Sequence, residues 1–146
     1  MKKSTFAFIA TSIFGLCASS GAIADDRECA TNFTVDGSLM SGRTYKTFAF
    51  VPGVTKANAL AAAGRDLATD GWQINSTNES MGVISASQGV TASSGKTVPL
   101  NVLVDEVTGG VKVSMTYRTS GGLSSPTDAV IKQFCTTIGA VANTTN

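Results

Sequence analysis

The hydrophobic period changes sharply at Asp70-Gly71-Trp72, and that change does most to limit what this chain can fold into. Thr55 to Asp70 is rich in helix formers. Ala57, Leu60, Ala61, Gly64, Leu67 and Ala68 recur at helical spacing and make one apolar stripe. Thr55 is the expected N-cap. Gly71 stands where a helix needs a left-handed residue past its end, and Trp72 where the following hydrophobic contact belongs. After the glycine, Trp72-Gln73-Ile74-Asn75 alternates like a strand. A polar turn is expected over Asn75 to Ser80, and Gly82-Val83-Ile84-Ser85-Ala86-Ser87 resumes the alternation. The stretch Val54 to Gln88 therefore encodes helix, glycine stop, strand, turn and strand.

Outside that stretch the same reading continues. Thr31 to Met40 carries only a weak strand signal, at Phe33 and Val35. Arg43 to Val51 predicts a strand with Phe48 and Phe50 on the core face and Tyr45, Thr47 and Ala49 on the outer face. Gly89 to Lys96, full of Ser, Thr and Gly, predicts a loop. Thr97 to Asp105 predicts a strand that turns Val98, Leu100, Val102 and Val104 inward, and Thr108-Gly109-Gly110 a hairpin turn. Val111 to Thr119 alternates cleanly: Val111, Val113, Met115 and Tyr117 on one face, Lys112, Ser114, Thr116 and Arg118 on the other. Ser125-Pro126-Thr127-Asp128 predicts a helix start with Ser125 as N-cap, and Gly139 its end, with a loose tail beyond. The order β-α-β-β-β-α, with one dry face per strand and one stripe per helix, predicts an α+β fold: an antiparallel-rich sheet with two helices packed on one face.

The first 24 residues follow a different logic. Lys2 and Lys3 precede an apolar run from Phe6 to Leu16 that is too short to span a bilayer, and Ala22-Ile23-Ala24 has the small-residue form of a cleavage site. Residues 1–24 read as a bacterial-style signal peptide, and residues 25–146 as a single domain, periplasmic or secreted. Leu16 before Cys17 argues against a lipid anchor, which wants a small residue there. Loss of Lys2 and Lys3 shifts the formal charge from +1 to −1. Such a balance lacks the basic footprint of a nucleic-acid binder, and no later segment is long and apolar enough for a transmembrane span. Cys29 and Cys135 remain, and in an oxidising compartment they are expected to form one disulfide; the alternative is two unpaired thiols.

The chain contains no histidine, which removes the commonest general base and histidine-based triads and metal sites. Paired cysteines would remove thiolate chemistry and cysteine-ligated zinc as well. The acid pairs Asp25-Asp26 and Asp105-Glu106 lie in an expected polar leader and at a hairpin turn, where carboxylates are normally solvated. The sequence thus predicts no catalytic residues, no cofactor and no metal. Its candidate binding face comprises Tyr45 with Lys112, Ser114, Thr116 and Arg118, and the Gly89–Lys96 loop is the second candidate.

Ala59-Leu60, Leu67, Asp70-Gly71-Trp72-Gln73-Ile74, a polar gap and Gly82-Val83-Ile84-Ser85-Ala86 together resemble bacterial envelope α+β domains like the repeat of the β-barrel assembly machine C-subunit lipoprotein. The resemblance covers about 35 residues and implies a non-enzymatic domain that works by contact, without that family's lipid-anchored cysteine or tandem repeat. The expected function is a non-catalytic envelope module whose partner is another envelope protein or a cell-wall component. The alternatives are a histidine-independent carboxylate enzyme, such as a glycan hydrolase, and a carrier of a small ligand between helices and sheet. Paired acids across a cleft would favour the enzyme, and an apolar cavity the carrier.

Overall fold

A computed structural model describes residues 24–91 and 95–145. In chain order the elements are α1 (Ala24–Thr31), β1 (Thr34–Ser38), β2 (Gly42–Pro52), α2 (Lys56–Thr69), β3 (Gln73–Asn78), β4 (Val83–Gly89), β5 (Thr97–Val107), β6 (Gly110–Arg118) and α3 (Thr127–Ala142), closed by a 3-10 turn at Asn143–Thr145. The six strands form one sheet in the order β1-β2-β6-β5-β4-β3, and every neighbouring pair is antiparallel. The class is α+β, as the periodicity predicts. The predicted signal segment, Cys17 included, lies outside the described residues apart from Ala24.

The helix exit at Gly71 forms as its residues require. The Thr55 side chain accepts a hydrogen bond from the Asn58 N–H at the start of α2. At the other end, Trp72 N–H donates to Leu67 C=O at 2.9 Å and Gly71 N–H to Ala68 C=O at 3.2 Å. These two bonds satisfy the last carbonyls of the helix and define a Schellman cap. The cap needs a left-handed residue, and Gly71 has φ +85°. The chain reverses there and delivers Trp72 into the core, where it is 9% exposed.

Several local expectations are overturned. The leader before Cys29 is a helix, α1. The weak signal at Val35 is a strand, β1, pairing Thr34–Ser38 with Gly42–Lys46. The turn expected from Asn75 lies later, because β3 runs on to Asn78 through a register shift between Ile74 and Ser76. The order β-α-β-β-β-α therefore undercounts both strands and helices. Pro126, not Ser125, is the N-cap of α3, with no side-chain cap bond. Gly139 does not stop that helix. It is carried through to Ala142 because Ile138 and Val141 are fully buried on either side of it, and packing outweighs the roughly 1 kcal/mol helix cost of a glycine.

The largest correction concerns β2. Tyr45, Thr47, Ala49 and Val51 are its buried row, whereas Phe48 is 41% exposed and Phe50 half-buried. The register supplies the reason. Tyr45 pairs with Tyr117, Thr47 with Met115, Ala49 with Val113 and Val51 with Val111. Partners in an antiparallel pair share a face, so the buried row of β6 dictates that of β2. The hydroxyl of Thr47 is satisfied by donating to the Cys29 carbonyl.

All three helices cover this one face. α3 packs on α1, α2 and β2, while α2 lies over β3, β4 and β5. The Cys29–Cys135 disulfide ties α1 to α3, with Cα atoms 5.6 Å apart. α1 also guards an edge. Beyond Lys46, β2 has no β1 partner, and there Asn32 Nδ2 donates to Phe48 C=O at 3.0 Å while Phe50 N–H donates to Glu28 Oε2 at 3.2 Å. Two side chains one helical turn apart thus occupy backbone groups that would otherwise be open to another strand.

Candidate functional site

Because every helix among the described residues sits on one side, the other side of the sheet carries none of them. Strand alternation projects Lys46, Phe48 and Phe50 from β2, Lys112, Ser114, Thr116 and Arg118 from β6, Asn101, Leu103 and Asp105 from β5, and Ser85 and Ser87 from β4. The structure brings the four predicted β6 residues together on this face. It does not bring Tyr45. That side chain is fully buried on the opposite face, its hydroxyl donating to the Ser125 carbonyl at 3.1 Å and its ring packed on Tyr117 at 5.4 Å. Tyr45 is removed from the binding face for the register reason given above.

Phe48, which local hydrophobicity assigns to the core, takes its place. The register lines up Phe48, Ser114, Leu103 and Val83 across four strands. Leu103 is 38% exposed, so this row is apolar at intervals. The ammonium of Lys112 lies 4.9 Å from the centroid of the Phe48 ring, a cation–π contact. The next row along is Lys46, Thr116, Asn101 and Ser85, in which Ser85 Oγ donates to Asn101 Oδ1 at 2.9 Å. Lys46 reaches Asp36 at 3.9 Å, an exposed pair worth little. Arg118, opposite Thr44, is exposed and enters no ion pair among the described residues. The face is largely polar, basic along β2 and β6, and interrupted by two aromatic rings, Phe48 exposed and Phe50 half-buried.

The second candidate, the Gly89–Lys96 loop, is closed at its base by Val90 N–H donating to Lys96 C=O at 2.9 Å. Residues 92–94 lie outside the described residues, as do the side chains of Asp25 and Asp26. Of the other acid pair, Glu106 lies 3.8 Å from Lys56, and Asp105 stands opposite Lys112 in the register. No group of three or more acidic, cysteine or histidine residues is placed to hold a metal ion among the described residues. No helix there is long and apolar enough to cross a membrane.

The helix side holds a feature that the periodicity did not single out. A cavity of about 210 Å³ lies between the first turns of α3 and the sheet, lined by Trp72, Gln88, Tyr117, Ser125, Gln133 and Phe134 with Pro126, Ala129 and Val130. Trp72 meets Tyr117 edge-on, with centroids 5.9 Å apart and planes at 85°. The Tyr117 hydroxyl lies 2.7 Å from Ser125 Oγ. Burial, partly offset by this bond, raises the Tyr117 pKa above its ordinary value of 10.0, so the phenol stays protonated at neutral pH. One signal of the cavity was present in the sequence: Gln88 continues the inward row of Ile84 and Ala86, a polar side chain at a core parity.

Compared with known proteins, the chain matches no family model and no curated relative.

Proposed function

We propose that this protein is a non-catalytic, exported envelope module that binds another envelope protein through the bare face of its sheet. The observation that carries the reading is Lys112 over the exposed Phe48 ring, with Lys46 and then Arg118 further along the same face, which no helix among the described residues covers. An exposed aromatic anchor beside cations suits a partner with an acidic, partly apolar strip. The signal-peptide pattern of residues 1–24 and the Cys29–Cys135 pair support export, and the resemblance to envelope contact domains supports a role by association rather than by reaction.

The test is recovery of partners from envelope extract by the tagged protein, wild type against the Lys112→Glu, Arg118→Glu double variant. Arg118 is exposed but Lys112 is half-buried against the Phe48 ring and opposite Asp105, so the double variant should stay folded at a cost of about 1 kcal/mol, with melting temperature as the control. Specific partner recovery should drop, and more so at low salt, because charge on such a face acts mainly on the association rate. Unchanged recovery by the folded variant would retire the face. Charge-dependent retention on purified cell-wall polymer, with no protein recovered, would replace the protein partner by that component.

A further inference from the structure

We propose that the cavity under the first turns of α3 is a binding site for a small, uncharged, hydroxylated aromatic molecule of about two fused rings. The proposal is independent of the sheet-face reading, because the cavity opens on the helix side.

Size comes first. An apolar cavity of about 150 Å³ accepts benzene, so about 210 Å³ has room for a larger, bicyclic ring system. Shape and chemistry agree. Trp72, Tyr117 and Phe134 supply aromatic walls, and a flat ring can stack or meet them edge-on. Among the described residues no Lys, Arg, Asp or Glu lines the cavity, so a charged ligand would be desolvated there without a counterion.

Polar groups set the remaining requirement. The Tyr117 and Ser125 hydroxyls carry two protons between them, and their 2.7 Å bond uses one. Tyr45 spends its own proton on the Ser125 carbonyl. One hydroxyl proton of the Tyr117–Ser125 pair is therefore free to be donated. Gln133 is anchored through its nitrogen, which donates to Asp70 Oδ2 at 2.7 Å and to Thr137 Oγ1 at 3.3 Å. Its side-chain oxygen, Oε1, accepts no bond among the described residues, which leaves it as an acceptor. The Gln88 amide makes no side-chain hydrogen bond there either. Its nitrogen lies near Gly71, 3.8 Å from where a Cβ on that residue would stand. The helix exit that organises the fold thus leaves room for this wall of the cavity. A spare donor, a fixed acceptor and a free amide around aromatic walls match a ring bearing a hydroxyl, which can give one hydrogen bond and take another.

Trp72 is the chain's single tryptophan, so its indole N–H resonance reports on the cavity without assignment ambiguity. Naphthol serves as the probe, naphthoate as its charged counterpart and naphthalene as the ring without the hydroxyl. Naphthol should shift the Trp72 resonance saturably, with a dissociation constant of about 1 mM or tighter, and naphthoate should bind at least about tenfold more weakly. Ala129→Trp, on the exposed rim of the cavity, should close it and reduce naphthol binding at least about tenfold. Gln88→Leu keeps the site falsifiable should the rim variant not fold. It should weaken naphthol several-fold and leave naphthalene unchanged, because only the hydroxyl loses a partner. The assignment is overturned if the Trp72 resonance does not move, if naphthoate binds as well as naphthol, or if the folded Ala129→Trp variant binds like wild type.

Discussion

The two faces of β2 carry their apolar groups in opposite senses. The buried row reads Tyr45, Thr47, Ala49 and Val51, and the open row reads Lys46, Phe48 and Phe50. Residue by residue, the phenylalanines are the more hydrophobic set, yet they face outward. The difference teaches that a strand's face is chosen by the whole layer it belongs to. Val111, Val113, Met115 and Tyr117 leave β6 no choice of face, and β2 follows through the register. Small Ala49 and Thr47 then let α1 approach closely, and the Thr47 hydroxyl finds the Cys29 carbonyl. A phenylalanine there would overfill the layer. Phe48 is left on the surface, where Lys112 covers part of its ring.

The staple that holds the helix layer on the inner face should have the largest effect. Cys135→Ala opens a loop spanning a sequence separation of 106 residues, which should cost about 4–5 kcal/mol in the chain-entropy account. Equilibrium unfolding of the wild type and the variant measures it, and non-reducing mass analysis of residues 25–146 should show no alkylatable thiol. Two free thiols there would remove the staple.

Truncation compares the two rows directly. Tyr45→Ala should cost roughly 3–5 kcal/mol, because it empties a fully buried site and leaves the Ser125 carbonyl without its donor. Phe48→Ala should cost less than about 1 kcal/mol, since the ring is 41% exposed and the cation–π contact sits at the surface. Denaturant unfolding of both variants reads the difference. Equal losses would mean that the assignment of faces is wrong.

The smallest effect is a pH dependence on the inner face. Tyr117 has its folded pKa raised above 10.0, so the unfolded chain loses that proton first as pH rises. Stability from this residue is complete below about pH 10 and falls as pH climbs toward the raised folded value. Melting temperatures across that range should decline less steeply for Tyr117→Phe than for wild type. Parallel curves would mean that Tyr117 does not differ in proton affinity between the two states.

The sequence alone determined the elements whose signals are local. The Gly71 exit needs only a left-handed residue and a hydrophobe after it, and Thr55 needs only a donor three residues on, so both were legible. The alternation of β5 and β6 was equally clear, and four of the five residues expected on the binding face do share it. Tertiary structure decided the rest. The face of β2 depends on its partner's register, and α1 forms where Cys29, Glu28 and Asn32 meet β2 and α3. Gly139 stays helical because Ile138 and Val141 are buried. The cavity joins Trp72, Gln88, Tyr117, Ser125 and Gln133 from separate parts of the chain. No local pattern encodes such a meeting, because it exists only once the helix layer closes over the sheet.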